Sequence, residues 1–282
     1  MLDLDPNRSV TPPRPAATVL VLRDDGGQLA VYVIVRHPKS GFMGGVVAFP
    51  GGKVDAADED EALAAHVTAV SPRFGDFGED LPASAGALAM AAARECLEEA
   101  ALFPVKDTEL SHDGARALRT RLESGAPLAE ELKRLGCRVD LGALAPFARW
   151  ITPAAEARRF DACFFLLRRP AGQEGSFDPH ETTAGEWATP ADLLARFERG
   201  ELTIAPPTLR CLELLATCES VEAALLLASR QNLRPVCPCL ALDGDTPMLV
   251  LPGDPRHPEP TAIVAGPTRF VLRDGKFRSE HP

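Results

Sequence analysis

Two apolar runs rich in β-branched residues stand near the start of the chain, ATVLVL at 17–22 and LAVYVIV at 29–35, with Asp25-Gly26-Gly27 between them. Short runs of this kind parted by an Asp-Gly turn predict a β-hairpin. A shorter apolar run over 46–49 predicts a third strand, and the Pro-Gly-Gly that follows predicts a tight turn at 50–52. Residues 85–102 change to a helical period, with Ser84 placed to cap the start and Pro104 just past the end. The many alanines in this segment predict a helix packed closely on a sheet. Further helices are expected within 108–135, broken at Ser124-Gly125-Ala126-Pro127, over 190–200 closed by Gly200, and as one or two segments across 205–230. Strands are expected over 147–153 and 160–167, and another ends the stretch 181–187. Between 59 and 84, Pro, Gly and Asp interrupt a short helical pattern, which reads as a surface insertion. From 231 onward, short apolar runs alternate with Asp-Gly turns. Strands and helices mixed in this order predict an α/β or α+β fold, not a regular βαβ array.

Composition narrows the class without naming a function. The 282 residues are 45% hydrophobic and 25% charged, enough for a sizeable core. A net charge of −10 and a pI near 5.2 argue against nucleic acid as a partner. No apolar run reaches the ~18 residues of a membrane helix. The opening MLDLDPNRSVTPPRP lacks the basic and apolar regions of a secretion signal, so a flexible segment over 1–16 is expected there. Seven cysteines, at 96, 137, 163, 211, 218, 237 and 239, form no C-x-x-C pair and predict reduced thiols in a cytoplasm. There is no G-x-S-x-G elbow, and the six histidines show no H-x-x-x-H spacing, which removes support for serine and zinc hydrolases.

One helix carries the candidate chemistry. AAARECLEEAAL at 91–102 places Glu95, Glu98 and Glu99 within about 100° of one another on a helix face. Like charges at that spacing cost a few tenths of a kcal/mol per pair. A solvated acidic face is one reading. The other is a set of hard oxygen ligands for Mg²⁺ or Mn²⁺, with Arg94 pairing one glutamate to hold it. Upstream, FPGGKVDAAD at 49–58 adds a glycine pair, Gly51-Gly52, that lets the backbone approach another group, and a carbonyl there can serve as a further ligand.

Together the two stretches resemble the Nudix box, G-x5-E-x7-R-E-U-x-E-E-x-G-U, where U is a bulky apolar residue. Gly52 is followed by five residues and Asp58, and Arg94, Glu95, Cys96, Leu97, Glu98, Glu99, Ala100, Ala101 and Leu102 supply the second half. Asp58 stands for Glu, Cys96 takes the apolar position, and Ala101 stands for the last Gly. Residues 59–93 number 35 where the pattern has seven, an excess of 28. An insertion at this point is similar to that of the Nudix 19-like (RP2-type) coenzyme A diphosphatases. GFMGGVVAFPGGKVDAAD (41–58), RWITP (149–153), RRFDACFF (158–165) and APPT (205–208) extend the likeness over roughly 17–215. So does the loop RHPKSGFMGG upstream of the box.

The resemblance implies a Nudix-type α/β/α sandwich with a mixed sheet. It implies a hydrolase domain over 17–230, with an insertion at 59–84 and a helical one at 105–140, and an extension over 231–282. It implies a metal-dependent hydrolase that cleaves the diphosphate of a small nucleotide. Coenzyme A or acyl-CoA would yield 3′,5′-ADP and phosphopantetheine. NADH, ADP-ribose or dinucleoside polyphosphates are the alternative substrates, and a non-catalytic nucleotide- or protein-binding module is the alternative class. Mg²⁺ or Mn²⁺ would be held by Glu95, Glu98, Glu99 and the Gly51 carbonyl, with Asp58 or its neighbours Glu59, Asp60 and Glu61 contributing. Glu181, six residues before Trp187, is similar in placement to the family's loop acid and is the candidate general base, with a solvated loop glutamate as the alternative. Arg36 and Lys53 are candidates for phosphate contacts, with simple surface solvation as the alternative for each. A homodimer is an option the family leaves open.

Overall fold

The computed structural model describes residue 5 and residues 9–37 and 45–282. The hairpin forms as β1 (Arg14–Asp25) and β2 (Gln28–Arg36), and β1 starts three residues before its apolar run. They join β3 (Val47–Ala48), β4 (Gly51–Lys53), β7 (Ala145–Ile151), β8 (Phe160–Arg168) and β9 (Thr182–Ala188) in one sheet. The path is β3-β2-β1-β8-β7, with β4 on β1 and β9 on β2. Only β1 and β8 run parallel; the other pairs are antiparallel, so the sheet is mixed.

Alternation along β1 sends its two sets of side chains into two cores. Ala17, Val19 and Val21, with Cys163 and Phe165 of β8, meet helix α1 (Ala85–Ala100). Ala89, Ala91, Ala92 and Ala93 are fully buried there, so the alanines bring α1 close to the strands as expected. Leu20 and Leu22, with Phe164 and Leu166, face the opposite core. That core takes Leu193 and Phe197 from α4 (Pro190–Glu198), Leu209 and Leu212 from α5 (Pro206–Leu215), and Val221 and Ala224 from α6 (Val221–Arg230). The result is an α/β/α sandwich.

Shorter elements complete the chain. A two-stranded pair, β5 (Val105–Lys106) and β6 (Arg138–Val139), brackets α2 (His112–Glu123) and α3 (Leu128–Leu135). The tail folds as a four-stranded antiparallel sheet of β10 (Cys239–Asp243), β11 (Thr246–Val250), β12 (Arg269–Arg273) and β13 (Lys276–Glu280). Among the described residues no helix is long and apolar enough to cross a membrane.

Two expectations need correction. Gly51 and Gly52 do not make a tight turn; they lie in β4, extended and paired with Thr18 and Ala17 of β1. Glycine composition signals a turn locally, but the pairing comes from a distant strand. The segment 59–84 lies at the surface for most of its length, but it is not a plain loop without core contacts. It coils through 3₁₀ helices at Glu61–His66 and Pro72–Phe77 and drives Phe74 and Phe77 into the core under β8. Phe74 stacks on Phe165 at 5.2 Å, and Phe77 meets the same ring edge-on at 5.9 Å. Each buried phenyl ring contributes roughly 1.5–3 kcal/mol.

Candidate active site

Helix α1 starts where Ser84 accepts a hydrogen bond from the Ala87 N–H. It stops at Ala101, which takes the left-handed conformation (φ 49°, ψ 38°) while its N–H donates to the Leu97 carbonyl. The helix therefore does not run on toward Pro104. A glycine-type end is built with alanine, at about 1–2 kcal/mol of strain. This end fixes the last turn, which carries Glu98 and Glu99.

Strand β4 lies against that turn. Because Val19 donates to the Pro50 carbonyl and Val54 to the Pro15 carbonyl, Gly51 falls at a position whose N–H and C=O both face away from β1. Its N–H donates to Glu99 Oε2 at 2.8 Å. Its carbonyl points to the same side. A Cβ on Gly52 would lie 2.5 Å from all three carboxyl atoms of Glu95, so only glycine leaves room for that side chain.

Arg94 ties the two halves together. Its Nε and Nη2 donate to Asp58 Oδ1 and Oδ2 at 2.8 and 2.9 Å, and Nη2 also reaches the Lys53 carbonyl at 2.9 Å. Its Nη1 bridges Glu95 Oε1 and Glu98 Oε2 at 2.8 and 2.9 Å. Burial works against the charge on Arg94, but its bond to Asp58 and the fields of Glu95 and Glu98 outweigh that and raise its pKa. Both Asp58 oxygens are engaged, Oδ2 also accepting from the Asp55 N–H at 2.8 Å. Of the neighbouring acids, Glu59 accepts from the Ser84 hydroxyl, Asp60 accepts from the Ala62 N–H, and Glu61 is exposed.

The glutamates carry more negative charge than this arginine neutralises. Burial, with the field of neighbouring acids, pushes Glu95 up to about 7 and Glu99 up to about 8, and raises Glu98 as well. Glu181, exposed at the start of β9, adds to the field on all three. Its backbone carbonyl accepts from the His37 N–H, which holds the loop beside β2. His180 is exposed and its N–H caps Asp178, so it takes no visible part. Arg36 Nη1 lies 3.8 Å from Glu99 Oε1, while its buried Nε has no hydrogen-bond partner. Lys53 is exposed and turned to the other side of β4 from Glu95. The structure thus brings Glu95, Glu98, Glu99, Arg94, Asp58, Gly51 and Arg36 into one constellation, with Glu181 at its margin and Lys53 at its edge. Most of the upstream loop, residues 38–44, lies outside the described residues.

Among the described residues, no three acids, histidines or cysteines converge at metal-ligand spacing, because Arg94 occupies the space between Glu95 and Glu98. The donor chemistry nevertheless fits a hard divalent cation. Three carboxylates with too little counter-charge lie on one helix end beside the Gly51 backbone, whose carbonyl is not paired with β1, and all are oxygen donors.

A cavity of about 900 Å³ opens on the other side of β4, lined in part by Gly51, Gly52, Lys53 and Arg36. Arg14, Arg158 and Arg159 also line it. Sequence reasoning passed over these three. The one available signal was the Arg-Arg pair that opens RRFDACFF.

This arrangement of sheet, glycine strand and carboxylate helix defines a Nudix hydrolase. A family profile described as NUDT19 Nudix domain matches residues 65–215, and the chain belongs to that family. A solved NUDIX hydrolase from Alicyclobacillus acidocaldarius is 31% identical, with a TM-score of 0.63 over 77% of this chain and 97% of that one. The Xenopus laevis protein named acyl-coenzyme A diphosphatase NUDT19 is 26% identical across 81% of this chain and 71% of its own length. Its Homo sapiens counterpart is 26% identical across 86% and 78%.

Proposed function

We propose that this Nudix hydrolase cleaves the diphosphate of coenzyme A or acyl-CoA, releasing 3′,5′-ADP and phosphopantetheine or its acyl form. One observation carries the catalytic part of the reading. Glu99 is buried beside Gly51, Glu95 and Glu98 are partly buried next to it, and the three carry more charge than Arg94 balances. The names of the Xenopus laevis and Homo sapiens relatives support the substrate. Seven cysteines, none in a disulfide, support a reducing compartment such as the cytoplasm.

Glu95, Glu98, Glu99 and the Gly51 carbonyl would hold Mg²⁺ or Mn²⁺. Such an ion neutralises diphosphate charge and lowers the pKa of a bound water. The chain's own residues do the rest. Asp58 anchors Arg94, and Arg94 orients Glu95 and Glu98, so Asp58 is a positioning residue in this reading rather than a ligand. Gly51 fixes Glu99 through its N–H. Arg36 and Lys53, which line the cavity reached across the glycine strand from the acids, bind the diphosphate oxygens. Glu181, at the open margin, accepts the proton of the attacking water.

The test is a product-resolved turnover assay on purified protein with coenzyme A, acetyl-CoA, NADH, ADP-ribose and diadenosine polyphosphates, each with Mg²⁺, Mn²⁺ or chelator. Metal-dependent release of 3′,5′-ADP from coenzyme A is the expected result. Cleavage of another substrate alone would overturn the substrate and keep the chemistry. Folded protein that cleaves none of them would make the chain a binding module.

A further inference from the structure

The cavity beside β4 has a charge opposite to that of the chain. The sequence carries 40 acids against 30 lysines and arginines, yet the lining includes Arg14, Arg36, Lys53, Arg158 and Arg159 and no acid. Five cations gathered against a net charge of −10 point to an anionic occupant. The cations also fall in two groups. Arg36 stands beside the carboxylate helix at Glu99, and Lys53 stands across the glycine strand from it. Arg14 and Arg158 stand further toward the start of β1 and β8.

Strand register sets that spacing. Lys53 is opposite Ala16, and Arg14 lies two residues back on the same face of β1. Two residues of strand cover about 7 Å. Arg14 is opposite Phe160, and its N–H donates to the Arg159 carbonyl, so the 158–159 corner sits at the same end. Arg159 is spent on structure, donating to the carbonyls of Thr152 and Thr11 at 3.0 and 2.7 Å. Arg14 is exposed and forms no ion pair among the described residues. Ala16 and Ala162, in the row of Lys53, and Phe160, in the row of Arg14, give that face an apolar floor. A flat, uncharged moiety can lie on it beside the cations.

We propose that this cavity seats the nucleotide half of a substrate that bears a phosphate beyond the scissile diphosphate. Arg36 and Lys53 take the diphosphate, and Arg14 with Arg158 takes the added phosphate one sugar away. The proposal rests on the diphosphatase reading and sharpens it. The arginine pair at the far end selects a 3′-phosphorylated nucleotide over its dephosphorylated form.

The experiment compares kcat/KM for coenzyme A and dephospho-CoA in the intact protein and in Arg14→Ala, Arg158→Ala and the double variant. The intact protein is expected to prefer coenzyme A. Each single variant should cut the coenzyme A value about 10- to 100-fold, with a much smaller fall for dephospho-CoA, so that the preference collapses. Arg158→Lys keeps the charge and should retain part of the preference. Equal losses on both substrates, or no preference in the intact protein, would overturn the subsite. Calorimetric titration with 3′,5′-ADP and 5′-AMP provides a readout that needs no turnover. Tighter binding of 3′,5′-ADP that disappears in the double variant supports the subsite even if coenzyme A is not cleaved, in which case only the diphosphatase reading falls. Equal binding of the two nucleotides by the intact protein overturns it.

Discussion

Arg94, partly buried, and Arg149, fully buried, both have every guanidinium N–H engaged, and they differ in the acids around them. Arg149, 1% exposed, donates to both oxygens of Asp161, to Asp80 Oδ1, and to the carbonyls of Phe77 and Asp80. It faces two carboxylates, and its hydrogen bond holds exposed Asp80 below the usual carboxylate range. Arg94 faces Asp58, Glu95 and Glu98, with Glu99 close behind, and Glu95 and Glu98 are raised despite it. The first cluster is a clasp whose one surplus charge sits on exposed Asp80, and it fastens the 59–84 segment to β7. The second leaves negative charge over, and that surplus distinguishes a site built to receive cations from one built to hold a fold.

Substitutions can break the contrast from either side. Glu98→Gln or Glu99→Gln should lower kcat at least about 100-fold, since several kcal/mol of charge stabilisation is lost. The melting temperature of metal-free protein should hold or rise, because like charges have been removed. Unchanged turnover in both variants would sink the site. Arg149→Met should do the opposite. It leaves Asp161 buried and unpaired and should cost about 3–5 kcal/mol in denaturant unfolding. Turnover should then fall only through the folded fraction. Gly52→Ala probes the partition between helix and cavity. The new methyl must push the Glu95 carboxylate aside, and a shift of about 1 Å in a reacting group costs on the order of 100-fold in rate. Because the displaced group is the end of a flexible side chain, stability should change little.

Acid–base behaviour sharpens the same contrast. Folding raises Glu95 to about 7 and Glu99 to about 8 from the ordinary 4.5. The protonated forms therefore favour the folded state. Their contribution is complete below pH 4.5 and is lost as the pH rises through 7 and 8. Metal-free protein should melt lower at the alkaline end of that window, and Glu99→Gln should flatten the alkaline part of the drop. A melting curve independent of pH across the window would contradict the surplus of charge. The smallest effect is expected at Ala101→Gly. Relief of about 1–2 kcal/mol of left-handed strain is offset by roughly 0.8 kcal/mol for one buried methyl. The net gain should stay under about 1 kcal/mol, read as a small rise in denaturant midpoint.

Local signals made much of this legible. The hairpin, the alanine face of α1 and its Ser84 cap follow from period and capping alone, and the spacing of Glu95, Glu98 and Glu99 put three acids on one face before any fold was known. What stayed hidden depends on partners far along the chain. Gly51 and Gly52 look like a turn until β1 pairs with them. Phe74 and Phe77 sit in a stretch of Pro, Gly and Asp that reads as solvent-facing, and only Phe165 of β8 makes them core. The helix end at Ala101 was hidden because alanine favours continuing a helix, and its left-handed conformation appears only in the fold. Arg14 and Arg158 are far apart in sequence and come to the same end of the cavity only through the parallel register of β1 and β8.

The long break inside the motif has a practical consequence. Asp60 and Glu61 are exposed, and a cut between them would leave Gly51, Gly52 and Asp58 on one fragment and Arg94, Glu95, Glu98 and Glu99 on the other. The fragments would still share nine register pairs between β1 and β8, and those between β2 and β9. Neither piece alone would hold a complete set of active-site groups. Recovery of hydrolysis on mixing would report their association, so the chain already has the layout of a two-part complementation enzyme.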